Sequence, residues 1–154
     1  MPEFVRRAVI AVVIAVAGVF SVLAAQAQQL SDYRQTADGL TVYLGILPAA
    51  MVKGHEAMHG GARKGPHDYH IVAAIFDAAS SGRISDATVR AGIAGLAMPG
   101  YEANLEPMKI ADTTTYGNFV RLPGADLYTI RLTIQRPGQQ RPVVVTFKYD
   151  HRRE

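Results

Sequence analysis

The stretch Leu127-Tyr128-Thr129-Ile130-Arg131-Leu132-Thr133-Ile134 alternates strictly. Side chains on a strand point to opposite faces with period two, so Tyr128, Ile130, Leu132 and Ile134 share the inward face. A helix would scatter the same residues around its axis. A strand that is apolar on one side has to bury that side against a second layer, which commits the chain to a layered β architecture.

Other segments repeat the signal between turn residues. Leu40–Leu47 puts Leu40, Val42, Leu44 and Ile46 on one face and ends at Pro48. His70–Asp77 is apolar on both faces, as expected of a central strand. Thr88–Ala97 alternates around Val89, Ala91, Ile93 and Gly95, with small residues where something can approach closely, until Met98-Pro99-Gly100 breaks it. Leu105–Ile110 and Asn118–Leu122 are shorter candidates, separated by a connection over Thr113–Gly117, and Tyr116-Gly117-Asn118 reads as a structural turn. Val143–Tyr149 closes the series after the Pro137-Gly138 hairpin region. About seven short strands with no helical period among them specify an all-β, immunoglobulin-like β-sandwich.

The first 27 residues read differently. Arg6 and Arg7 precede the uncharged run Ala8–Ala25, and Ala25-Gln26-Ala27 offers small residues for cleavage, the pattern of a signal peptide. The expected organisation is therefore a signal peptide at 1–27, a flexible lead-in at 28–38 and one domain at 39–151, localised to the periplasm. The apolar run also meets the lower limit for spanning a bilayer, so an uncleaved inner-membrane anchor is the alternative.

Composition removes several function classes. The 154 residues include no cysteine, which excludes disulfides, thiolate metal sites and cysteine nucleophiles. The formal charge of +3 is spread along the chain without a basic stripe, so no nucleic-acid partner is expected. No nucleophile elbow, metalloprotease His-Glu-x-x-His or paired-carboxylate spacing is present, and the chain reads as a non-enzyme.

What remains is Met51–His70, a Gly-rich segment holding four of the five histidines and two of the five methionines. Imidazole and thioether donors suit copper, and less selectively other late transition metals. With five glycines or prolines inside it, the segment is expected to be a loop of unusual length, a common setting for function. Candidate ligands here are His55, Met58, His59, His67, His70 and Met51. Met108 lies further on, in Leu105-Glu106-Pro107-Met108-Lys109. Met98 is a weaker candidate, since methionine often fills core gaps. His151, near the C-terminus, is expected in solvent.

Met108 and its surroundings resemble the periplasmic high-affinity iron-transport proteins, copper- and iron-binding immunoglobulin-like sandwiches that work beside an inner-membrane permease. The parallel runs from about Gly39 to Tyr149. It takes in Met51, His70 at the start of a strand, Glu106-Pro107-Met108, Tyr116-Gly117-Asn118, Gly124-Ala125-Asp126-Leu127-Tyr128 and Phe147-Lys148-Tyr149. The resemblance implies a copper site in which His70 and Met108 supply two donors. Thr115 stands where the family has a third ligand, Pro137–Pro142 holds no His for the fourth, and Val72 and Ala74 replace acidic residues. The remaining donors are then left to His55, Met58, His59 or His67.

The function expected is capture and delivery of a copper ion, with iron or zinc as alternatives. Its partners would be the ion and an inner-membrane permease or acceptor protein, with a homodimer left open. The rivals are a metal-free structural or protein-interaction sandwich and a membrane-tethered extracytoplasmic sensor or assembly subunit.

Overall fold

The computed structural model describes residues 33–52 and 65–153. The signal peptide at 1–27, residues 28–32 of the lead-in, and His55, Met58 and His59 lie outside the described residues. Among the described residues there are eight strands and two short 3-10 turns. The strands are β1 (Arg34–Ala37), β2 (Leu40–Pro48), β3 (Asp68–Asp77), β4 (Thr88–Ala94), β5 (Tyr101–Ile110), β6 (Thr113–Arg121), β7 (Leu127–Gln135) and β8 (Val143–Asp150). Every pairing is antiparallel, in the order β1-β2-β3-β6-β5-β4-β7-β8.

The long strand β5 joins two sheets. Its first half, Tyr101–Leu105, pairs with β4, and from Glu106 onward it pairs with β6. Pro107 sits just past this change of partner, where a missing N–H costs the ladder least. One sheet is thus β1-β2-β3-β6 with the end of β5, and the other is the start of β5 with β4-β7-β8. The edge strand β1 approaches β8, so the sandwich nearly closes into a barrel.

The inner faces follow the alternation. Tyr128, Ile130, Leu132 and Ile134 are fully buried and meet Val42, Leu44, Ile71, Ala73 and Ile75 from the other sheet in one apolar cluster. The expected immunoglobulin-like all-β sandwich is borne out. β3 is central, between β2 and β6, which is why Val72 and Ala74 on its outward side are also partly covered.

Three expectations need correction. Arg34–Ala37 lies within the stretch read as lead-in, yet it pairs with β2 through a tight turn at Asp38 and Gly39, both at positive φ (45° and 79°). β5 begins at Tyr101, earlier than the apolar run that starts at Leu105. Thr113–Gly117 is not a connection but the first half of β6, and Tyr116-Gly117-Asn118 is strand rather than turn. The chain reverses instead at Ala111 and Asp112, at φ 46° and 63°, where the Thr113 hydroxyl donates to the Ile110 carbonyl at 2.7 Å.

Candidate metal centre

Strand alternation sorts β6 into two faces. Tyr116 and Val120 enter the core, so Thr115, Gly117 and Phe119 face outward. In register, His70 of β3 lies beside Phe119, Val72 beside Gly117, Glu106 of β5 beside Gly117, and Met108 beside Thr115. His70 and Met108 therefore stand on the two strands flanking β6, on the same outward face.

Both are buried nonetheless, at 1% and 2% exposure, and neither belongs to the inter-sheet cluster. Gly117 shows how closely they converge. A Cβ built there would lie 2.7 Å from the Met108 terminal methyl, 3.1 Å from His70 Cε1 and 2.8 Å from the Ile71 carbonyl oxygen. The absence of a side chain at 117 is what admits the thioether from one neighbouring strand and the imidazole from the other. The Phe119 ring holds the imidazole from its other flank, edge-on, with centroids 4.8 Å apart at 60°.

The surroundings are mainly apolar. Val72 and Ala74 share the outward face of β3 with His70, and Gly45 faces Val72 from β2. Thr115 is buried beside Met108, and its hydroxyl donates to the Met108 carbonyl at 3.4 Å. Glu106 shares the outward face two residues before Met108, directly across from Gly117, and is exposed. This carboxylate on the rim was missed as a candidate. The Glu-x-Met spacing within a strand was the signal that could have found it.

The other expected donors fall apart by position. His67 is half-buried in the turn before β3, where its backbone carbonyl accepts from Leu122 N–H at 2.9 Å. Met51 ends the 3-10 turn Ala49–Met51 and is 69% exposed. Met98 packs against the core, the ordinary fate of a sandwich methionine. Among the described residues no three His, Asp or Glu side chains cluster as a metal site.

His151 is not free in solvent as its position suggested. Its Nδ1 meets the Gly124 carbonyl at 2.6 Å and its Nε2 meets the Tyr69 hydroxyl at 2.5 Å. Because a carbonyl only accepts, Nδ1 carries a proton, and in the neutral ring Nε2 accepts from Tyr69. The ring also stacks on Tyr149, at 5.8 Å and 21°. These contacts anchor the C-terminal turn His151–Arg153 to the sandwich.

A His and a Met donor brought to one buried place form a pair that suits a soft ion such as Cu(I).

The comparisons agree with this fold. Residues 97–152 match the family model Iron_transport, described as Fe2+ transport protein, a transport family rather than a family of enzymes. That range holds Met108 and Gly117 but not His70. Among solved structures, a copper-bound variant of FetP from uropathogenic Escherichia coli strain F11 superposes with a TM-score of 0.62 at 17% identity, covering 76% of this chain and 92% of that one. Copper-reconstituted P19 from Campylobacter jejuni gives 0.62 at 15% identity, covering 76% and 91%. A DUF4426 family protein of Pseudomonas aeruginosa PAO1 gives 0.63 at 10% identity, again covering 76% and 91%. No curated protein sequence matches the chain. Residues 97–152 are thus similar to the Fe2+ transport protein family, as the motifs around Met108 led one to expect.

Proposed function

We propose that this chain is a metal carrier that captures a copper ion, with iron as the second cargo, at a site begun by His70 and Met108. The observation that carries the reading is the convergence of the thioether and the imidazole on Gly117, in a buried place outside the inter-sheet cluster. The family match, and the copper held by the FetP variant and by P19, support it. A thioether beside an imidazole favours Cu(I), whereas carboxylate and imidazole donors alone would favour harder ions. The further donors come from His55, Met58, His59 and His67, in the segment that leads into β3. Export by the signal at 1–27 would set the carrier in the periplasm, where an inner-membrane permease or acceptor protein receives the ion.

Titration of the protein with Cu(I), Cu(II), Fe(II) and Zn(II) tests this. Wild type should bind Cu(I) more tightly than micromolar, equivalent to about 8 kcal/mol. His70→Ala combined with Met108→Ala should abolish that binding. Weak binding by wild type, or equal binding by the double variant, overturns the assignment. A second reading, a metal-free interaction sandwich, draws support from the absence of any three-residue His, Asp or Glu cluster among the described residues. Weak binding of all four ions would favour it.

A further inference from the structure

The outward face of the second sheet carries a recess that the metal reading leaves unused. Its floor is Gly92 on β4, in register with Glu102 on β5 and Arg131 on β7. A Cβ at Gly92 would meet nothing closer than the Arg131 carbonyl oxygen at 3.8 Å, so a missing side chain makes the depression. Ala94 and Gly100 extend it to a volume of about 280 Å³, with Arg90, Tyr101, Thr129 and Thr133 on its walls. Gly92 and Ala94 are among the small residues of Thr88–Ala97 that promised a close approach.

Its charges are unevenly matched. Arg90 pairs with Glu102 at 3.3 Å, and both side chains are more than half exposed. Among the described residues Arg131 makes no ion pair. Lys148 adds a third cation next to the recess, donating to the Thr129 hydroxyl at 2.5 Å. Arg90 and Arg131 occupy diagonal positions on neighbouring strands, because Arg90 registers with Thr133 and Gly92 with Arg131. Arg131, with no ion pair, can hold one acceptor group of a ligand bidentately, and Arg90 can offer the guanidinium nitrogens that Glu102 leaves free to a second group on the same ligand. The volume lies just below the usual range for drug-sized ligands, so the occupant is compact.

We propose that this recess binds a small anion carrying two or more carboxylates, held between Arg90 and Arg131 over the Gly92 floor, with the Thr129 and Thr133 hydroxyls as further donors. It lies on the sheet opposite the His70 and Met108 face, so it stands or falls separately from the metal assignment.

The test is an amide-shift titration of the isotope-labelled, metal-free full chain with citrate, alongside acetate and sulfate at matched ionic strength. Citrate should shift the signals of Gly92, Thr129 and Arg131 and saturate with a Kd below about 1 mM, at least tenfold tighter than either control. Arg131→Gln should weaken citrate at least tenfold. Gly92→Leu, which fills the floor but keeps both guanidinium groups, should abolish saturation. Because Arg131 is exposed, its variant decides the matter even if Gly92→Leu fails to fold. Non-saturating shifts, an equal response to sulfate, or unchanged citrate binding by Arg131→Gln would overturn the proposal.

Discussion

Replacing Gly117 with Ala isolates the geometry on which the metal reading rests. The new Cβ would stand 2.7 Å from the Met108 methyl, 2.8 Å from the Ile71 carbonyl oxygen and 3.1 Å from His70 Cε1. Optimal separations for such atoms are about 3.5–4.0 Å. The methyl can swing away, but the Ile71 carbonyl belongs to β3 and moves only if the β3–β6 pairing opens. Overpacking of this kind costs about 1–3 kcal/mol. Against it stands the ordinary benefit of Gly→Ala, about 0.4–1 kcal/mol from a stiffer unfolded chain. The expected net effect is a loss of about 1–2 kcal/mol.

Gly45→Ala supplies the matched control. Gly45 flanks the same Val72 from the other side, and its Cβ would meet the Val72 carbonyl oxygen at 3.8 Å, an ordinary contact. This variant should be neutral or slightly stabilising. Urea unfolding measures both, provided the dependence on denaturant keeps its slope. A Cu(I) titration then reads the site directly. Gly117→Ala should weaken binding at least tenfold because the imidazole and thioether are pushed apart, while Gly45→Ala leaves it within twofold. If both variants unfold at the wild-type midpoint and bind copper equally, the two donors do not converge on Gly117.

Met108→Leu preserves volume, so it should cost under about 1.5 kcal/mol yet lower Cu(I) affinity at least tenfold. Calorimetry and a competition assay on one sample separate the two effects. His151→Ala removes a hydrogen-bond partner of the part-buried Tyr69 hydroxyl and the ring stacked on Tyr149, and should destabilise by about 1–3 kcal/mol, seen as a lower urea midpoint. Tyr116 and Tyr128 both titrate above their ordinary value of 10.0, chiefly because burial disfavours the phenolate. Their contribution to stability is complete below the unfolded value and is lost as pH rises through the folded values. Unfolding midpoints should therefore hold up to about pH 10 and fall beyond it, less steeply in Tyr116→Phe. Asp77 runs the other way. Hydrogen bonds from the Ser80 backbone and hydroxyl hold its carboxyl below the ordinary value of 3.8, so its share is present above that value and lost as acid protonates it.

Strands that bury one face were legible because period-two alternation survives in the sequence wherever the core demands it. Leu127–Ile134 appears as β7 with only its last residue added, and the central place of β3 follows from apolar residues on both its faces. The turn between β5 and β6 was not legible. A two-residue turn with both residues at positive φ is normally marked by Gly, Asn or Asp, and here Ala111 takes the first position at φ 46°. The nearest conventional punctuation, Gly117, was therefore read as the end of a connection. In the structure it is a strand residue whose missing side chain makes room for two others. A glycine needed for close approach looks, in sequence, the same as one needed for a turn. β1 escaped for a different reason: as an edge strand with an alternating half-exposed face, Arg34–Ala37 carries no apolar pattern at all.

The position of β5 decides how far the chemistry can be separated from the fold. Had this strand stayed with β4 for its whole length, Met108 would lie on the second sheet, and no residue there could meet His70 across the core. The change of partner at Glu106 carries the last five residues of the strand over to β6. That move sets Met108 and Glu106 on the outward face with His70. The face is separate from the inter-sheet cluster, which includes none of the three. Architecture alone carries no cargo preference. On the proposed reading, what this chain binds depends on the donors gathered around one glycine, His70 and Met108 together with those of the segment leading into β3, rather than on the sandwich that carries them.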